Sequence, residues 1–206
     1  MSAYRIEELS PESLRQIYEE HMKADFPEDE LRSLSMLLEK QAEGITVAYG
    51  WKREGRLCAY AILTQPEQKQ PYGEDSYVLL DYYAVCRGFR GQGVGSVFLE
   101  TLLEGLVCKG VLFEVEDPEA AKNAEDQEIR KRRIKFYERL GCRLVEGVRT
   151  KIFGVDFRLL VWSRQEIPSP FTALLAMEQI YHQLLPPKIF EKNCRFWREG
   201  ERDETV

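Results

Sequence analysis

Histidine is nearly missing from this chain, and its cysteines are scattered singly. The two histidines, His21 and His182, match no metal-ligand or nucleophile spacing. The five cysteines, Cys58, Cys86, Cys108, Cys142 and Cys194, lie at least 22 residues apart with no CxxC pair. Neither a metal centre nor a disulfide framework is expected, and the thiols read as small, reduced, buried apolar residues. Long apolar runs are also lacking: the longest stretch without a charge, Ile167 to Met177, has 11 residues, against the ~20 that a membrane-spanning helix needs. The N-terminus, Met1-Ser-Ala-Tyr-Arg-Ile-Glu-Glu, carries two acids where a secretory signal carries its apolar core, so a cytoplasmic protein with no membrane partner is expected. Positive charge is in the minority, 29 Lys and Arg against 35 Asp and Glu for a net charge of −6. Such a surface is poorly suited to nucleic acid and mildly favours cationic partners.

What is present is enough apolar material, 44% of 206 residues, to bury a core without staples, for one domain of about 150 residues and an extension of roughly 50. The expected division is residues 1–163 as the domain and 164–206 as a C-terminal helix and tail that packs on the domain or on a second subunit. Either a monomer or a homodimer is compatible with that division. Residues 4–9 read as a strand. Ser10-Pro11-Glu12 starts a helix to about Lys23, and Leu31, Leu34, Leu37 and Leu38 mark a second to about Glu43. Segments 46–51 and 57–64 form a hairpin, and 77–85, apolar on both faces, reads as a central strand. A helix through Val94, Phe98, Leu102 and Leu106 and a strand at 111–116 complete a βαβ unit. A helix within 125–140, strands near 142–147 and 155–162, and a last helix from Ser169-Pro170 to Leu185 finish the chain, with a tail from Arg198 polar enough to fray.

The chemistry concentrates in Arg87-Gly-Phe-Arg90-Gly91-Gln92-Gly93-Val94-Gly95-Ser96, set between a buried strand and an amphipathic helix. Its glycines free backbone N–H groups to turn toward one point, and the helix start adds unpaired donors and a positive dipole end, a geometry that binds diphosphate. A Walker site would need Lys and Ser or Thr after Gly93, where Val94 and Gly95 stand. The dinucleotide pattern would need a glycine at Ser96. What remains is Arg-x-x-Gly-x-Gly from Arg90 to Gly95, and some forty residues later Phe136-Tyr137-Glu138-Arg139-Leu140-Gly141.

At these two segments the sequence resembles the GNAT superfamily of acetyl-CoA-dependent N-acyltransferases. The resemblance spans roughly residues 4–162 in element order. It implies an α/β fold with a mixed, mostly antiparallel central sheet, a central parallel βαβ unit and flanking helices, with the C-terminal helical extension after them in this chain. It implies acetyl-CoA as co-substrate, with Arg90, Gly91, Gln92, Gly93, Val94, Gly95 and Ser96 at the coenzyme diphosphate. The backbone of Val85 would pair with the pantetheine arm, with Arg87 close by, and Tyr137 would sit near the thioester sulfur. Arg130 stands where the family often has Asn and is read as a contact to the coenzyme phosphates.

Acid–base chemistry fits that assignment. A primary amine with a pKa near ~10.4 is neutral in about one molecule in a thousand at pH 7, so attack on a thioester needs a carboxylate, directly or through water. Glu114 and Glu116, two apart on one strand, share a sheet face, and Asp81 lies on the central strand. Glu114 ranks first because its Glu-Val step resembles a catalytic Glu of some family members, with Glu116 and Asp81 after it. Each is as readily a partner for a neighbouring Arg. A phenol at ~10 can return a proton to a departing thiolate, the role given to Tyr137, and the Val85 N–H can serve the oxyanion. The expected activity is acetyl transfer to a primary amine, small or on a protein, in a ternary complex. An acyl-CoA-binding sensor without turnover is the alternative. The acids of Asp25-Phe26-Pro27-Glu28-Asp29-Glu30 would draw a cationic acceptor.

Overall fold

A computed structural model describes residues 5–28, 30–65 and 76–200. Strand β1 (Arg5–Glu8) leads to α1 (Pro11–Ile17), which starts as expected: the Ser10 side chain accepts from Ser13 N at 3.2 Å, and Pro11 fills the first turn. The predicted single helix to Lys23 is instead interrupted by a π-helical turn, Tyr18–Met22, before α2 (Lys23–Asp25). Helix α2 ends where Phe26, held extended ahead of Pro27, cannot continue. The next helix, α3 (Leu34–Ala42), begins later than the leucine spacing suggests, because Ser33 is its cap and accepts from Met36 N.

Strands β2 (Thr46–Arg53) and β3 (Arg56–Thr64) form an antiparallel hairpin closed by Glu54 and Gly55, both at positive φ, as a two-residue turn of this hand requires. After them come β4 (Tyr77–Val85), α4 (Val94–Gly105), β5 (Gly110–Glu116), α5 (Ala124–Arg139), β6 (Arg143–Leu144), β7 (Val148–Ile152) and β8 (Val155–Ser163). The strand expected near 142–147 is only two residues long, and β7 begins after Gly147 turns the chain at φ 71. Beyond β8 lie α6 (Pro170–Leu184), α7 (Pro187–Asn193) and β9 (Cys194–Arg198). The tail past residue 200 lies outside the described residues.

The fold is mixed α/β with a mostly antiparallel sheet and one parallel pair, β4 with β5. The chain divides into two compact units, one from the described residues up to 65 with Leu80–Leu106, the other from 76–79 with 107–200. Strand β4 contributes to both. In the first unit the strand order is β1-β2-β3-β4. Leu14, Ile17, Tyr18, Met22 and Leu37 pack with Ala48, Tyr60, Ile62 and Tyr82 into one core. The ring of Phe98 on α4 lies 5.5 Å from Trp51 and 5.6 Å from Tyr83.

In the second unit the order is β5-β8-β7-β9, with β6 also on β8. The last strand pairs antiparallel with β7 from Val148↔Arg198 to Ile152↔Cys194, so the C-terminal extension adds a strand of its own. Helix α6 buries Leu174, Met177, Tyr181 and Leu184, an apolar stripe at helical spacing, and with them Ala173 and Ile180.

Candidate active site

In the first unit, β4 ends at Val85 and the chain turns through Cys86 to Gly93 into α4. Gly91 and Gly93 hold φ of 75° and 77°, a conformation glycine adopts without strain, and no heavy atom would lie within 4 Å of a Cβ at Gly88, Gly91 or Gly93. The turn therefore faces open space. Gly93 caps α4 without a side chain, and the first backbone bond into the helix is Val97 N to Gly93 O at 3.2 Å. The amides of Val94, Gly95 and Ser96 have no backbone partner among the described residues. The shape is fixed from behind, since the Tyr83 hydroxyl donates to Gly95 O and Gln92 Nε2 donates to Gly88 O at 3.0 Å. Unpaired N–H groups at a helix mouth with a positive dipole end are a receptor for phosphate oxygens.

Arg90, the first residue of the glycine motif, folds back over this strand end. Its Nε donates to Val85 O at 2.9 Å and its Nη2 to Asp25 Oδ1 at 2.6 Å. The other Asp25 oxygen accepts from the Tyr60 hydroxyl at 3.0 Å. Burial first, and then the Asp25 charge, push the Tyr60 phenol far above its ordinary value, so it stays a donor. Arg87, in the short helical turn Arg87–Phe89, is exposed. Asp81, the carboxylate expected on β4, is buried against the Arg32 guanidinium and the Thr64 hydroxyl. Burial raises its pKa, and Arg32 and Thr64 oppose that rise. Next to it, Tyr82 accepts from Arg32 N and donates to Glu30 O, both at 2.9 Å. Together Asp81 and Tyr82 fasten the segment between α2 and α3.

The other sequence candidates belong to the second unit. Glu114, half-buried on β5, receives the Tyr181 hydroxyl on Oε2 at 2.5 Å and the Thr150 hydroxyl on Oε1 at 3.3 Å. Glu116 receives Arg133 at 2.7 Å and Arg130 at 3.1 Å. Arg130 is buried and each of its guanidinium nitrogens has an internal acceptor: Nε on Asp126 at 3.0 Å, Nη1 on the Asp117 carbonyl at 2.9 Å, Nη2 on Glu116 at 3.1 Å. Tyr137 on α5 packs its ring 4.9 Å from Phe113 and 5.2 Å from Phe136. Burial pushes its phenol up to about 12.

The structure thus brings together Val85, Arg90 and the residues from Gly91 to Ser96, and adds Asp25 and Tyr60 to them. Sequence reasoning named Asp25 only as one acid of a loop and passed over Tyr60, Thr150 and Tyr181. Each of those three occupies an ordinary strand or helix position whose spacing announces packing. His182 stacks on Phe190 at 3.7 Å, and His21 lies 6.3 Å from the Tyr60 ring. Among the described residues no cluster of three or more His, Cys, Asp or Glu could hold a metal ion, and no helix is long and apolar enough to cross a membrane.

Solved structures share this fold. A protein of Bacteroides thetaiotaomicron described as an acetyltransferase of the GNAT family superposes with a TM-score of 0.62 at 23% identity, over 79% of this chain and 88% of that one. The ribosomal-protein-S18-alanine N-acetyltransferase of Escherichia coli gives 0.55 at 20% identity, over 81% and 97%. Arabidopsis thaliana NAA60, solved in complex with acetyl-CoA, gives 0.55 at 17% identity, over 79% and 99%. No curated protein matches the sequence significantly. The sequence model of the acetyltransferase (GNAT) family matches residues 11–142; that stretch is more than half of the 206 residues and contains the whole turn from β4 into α4, and the chain belongs to this family.

Proposed function

We propose that this protein transfers the acetyl group of acetyl-CoA to a primary amine by direct attack within a ternary complex. The observation that carries the reading is the open glycine turn after β4, with the unpartnered amides of Val94, Gly95 and Ser96 at the mouth of α4. A diphosphate suits that receptor better than a neutral group does. The complexes of Arabidopsis thaliana NAA60 and of Salmonella typhimurium YncA with acetyl-CoA support the choice of carrier. In this reading Arg90, Gly91, Gln92, Gly93, Val94, Gly95 and Ser96 hold the diphosphate, with Arg87 and Arg130 as further cationic candidates. The Val85 backbone positions the acyl arm and offers its N–H to the oxyanion.

Three carboxylates are proposed for the amine proton. Glu114, which accepts from the Thr150 and Tyr181 hydroxyls, is favoured on the resemblance of its Glu-Val step to a catalytic Glu of some family members, either directly or through water. Glu116, bound by two guanidinium groups, and Asp81, bound by Arg32, follow it. Tyr137, protonated at any physiological pH, returns a proton to the thiolate. The test is release of free thiol from acetyl-CoA across a panel of primary amines. Amine-dependent release is the expected result. Saturable coenzyme binding with no release on any amine would reduce the protein to a binding module, and no coenzyme binding at all would overturn the reading.

A further inference from the structure

Asp25, the last residue of α2, is an unusually buried carboxylate. Its side chain is 5% exposed, yet the cation that neutralises it, Arg90, is 53% exposed and stands on a turn flanked by Gly88 and Gly91. Among the described residues Arg90 is the one cation paired with Asp25. The Tyr60 hydroxyl fixes Oδ2, so Oδ1 alone is offered to a charged partner. A buried carboxylate that loses its counter-ion is strongly destabilised and takes another cation if one can reach it. Here the counter-ion is half in solvent and exchangeable.

The way Arg90 is spent matters as much. Nε and Nη2 form one edge of the guanidinium fork, the edge that grips a phosphate or carboxylate with two parallel bonds. In this structure that edge is divided between Val85 O and Asp25 Oδ1. A phosphate oxygen pair taken on the same edge displaces both. The amides that would receive such an anion begin only four residues further on, at Val94. Arg90 thus has two mutually exclusive employments, and Asp25 has a cation in only one of them.

We propose that Asp25, oriented by Tyr60, is the binding site for the positively charged group of a cationic acceptor, an alkylammonium, and that Arg90 fills that site until an anion at the glycine turn draws it away. The proposal deepens the acetyltransferase reading and rests on it for the identity of the anion. Binding of the two ligands is then coupled: coenzyme strips Asp25 of its internal cation, the ammonium replaces it, and by reciprocity the ammonium also strengthens coenzyme binding. The acceptor class is narrowed to amines that arrive charged.

The experiment measures coenzyme A binding by titration calorimetry with and without n-butylammonium, using butan-1-ol as the uncharged control. Coenzyme A carries no acyl group, so nothing turns over. In the wild-type chain n-butylammonium is expected to tighten coenzyme A binding by about tenfold, within the range usual for coupled sites, and butan-1-ol to leave it unchanged. In Asp25→Asn the coupling disappears. Arg90→Ala, which empties the anchor, is expected to bind n-butylammonium without coenzyme, where the wild type does not. Coenzyme A binding that ignores n-butylammonium, or coupling undiminished in Asp25→Asn, overturns the proposal and leaves the acetyltransferase reading standing. Failure of the wild type to bind coenzyme A at all overturns both. If Asp25→Asn does not fold, as judged by its thermal transition, Arg90→Ala decides alone: no ammonium binding in that variant refutes the anchor.

Discussion

The Tyr181 hydroxyl on α6 donates to Glu114 Oε2 on β5 at 2.5 Å. Tyr181 lies beyond the stretch 11–142 that the family defines, so the C-terminal extension supplies a ligand to the carboxylate favoured here as proton acceptor. Its ring is anchored separately, 5.7 Å from Phe196 on β9. Tyr181→Phe should keep that packing and remove only the donor. Loss of a hydrogen bond to a charged, half-buried group is expected to lower stability by about 1–3 kcal/mol, read as a shifted midpoint of chemical denaturation. Thiol release should fall as well, and the fall should not add to that of Glu114→Gln, because both variants disturb one carboxylate. Additive losses would separate Tyr181 from the chemistry of Glu114.

At the turn, Gly93 allows a graded test. Its φ of 77° strains any L residue, but a Cβ there meets nothing within 4 Å. Gly93→Ala should therefore cost about 1 kcal/mol of stability with coenzyme affinity nearly kept. Gly93→Asp carries the same backbone strain and adds a negative charge facing the phosphate position. Coenzyme A affinity is expected to drop by at least about tenfold relative to the alanine variant, since one repelled charge about 4 Å away at a protein surface exceeds about 1.4 kcal/mol. Equal affinities for the two variants would move the diphosphate away from this turn.

Tyr137 separates chemistry from packing in a different way. Its ring is set against Phe113 and Phe136, contacts that Tyr137→Phe keeps. Stability is expected to change by less than about 0.5 kcal/mol, while thiol release falls by about a hundredfold if the phenol is the general acid. The pH profile carries its own signature. With the phenol pushed up to about 12, it stays protonated through the neutral and mildly alkaline range. No alkaline limb from Tyr137 should therefore appear below about pH 11. A limb near pH 9 would belong to another group.

Much of this was legible in the sequence because local chemistry and tertiary structure agree. Ser10 and Pro11 start α1, Ser169 and Pro170 start α6, and the glycines from Gly91 to Gly95 stand between a doubly apolar strand and an amphipathic helix, as their residue types dictate. What stayed hidden depends on partners distant in sequence. Strand β9 is five residues with three of them aromatic or cysteine between charged neighbours, and it becomes a strand because β7 offers it an edge. Arg90 looks like a phosphate ligand from its motif alone. Its pairing with Asp25, 65 residues away, depends on how α2 ends after a π-helical turn, which no periodicity announces. Likewise, Glu114 and Glu116 read as twins on one strand face, and Tyr181 and Thr150 on one, Arg130 and Arg133 on the other, set them apart.

The thiols give a pH-dependent outcome whose sign is fixed by burial. All five cysteines are free and buried, and desolvation is the leading cause that lifts each from 9.0: Cys58 upward, Cys86 and Cys108 to about 11, Cys142 and Cys194 to about 12. Folded values above unfolded ones mean that the unfolded chain loses protons first as pH rises. The stabilising contribution is therefore complete below about pH 9 and is lost on the way to about pH 11–12. At about pH 8 a thiol with a pKa near 11 is ionised in about one molecule in a thousand, against about one in ten for the unfolded chain. A disulfide reagent at that pH should label the native protein very slowly and label all five cysteines together once denaturant unfolds it. Rapid native labelling of a single residue, identified by mass, would show that residue to be exposed. Of the five, Cys86 is the most informative, because it adjoins the turn and lies near Asp25, whose charge is the second cause raising its pKa. Coenzyme A should slow its labelling further if the turn is the binding site.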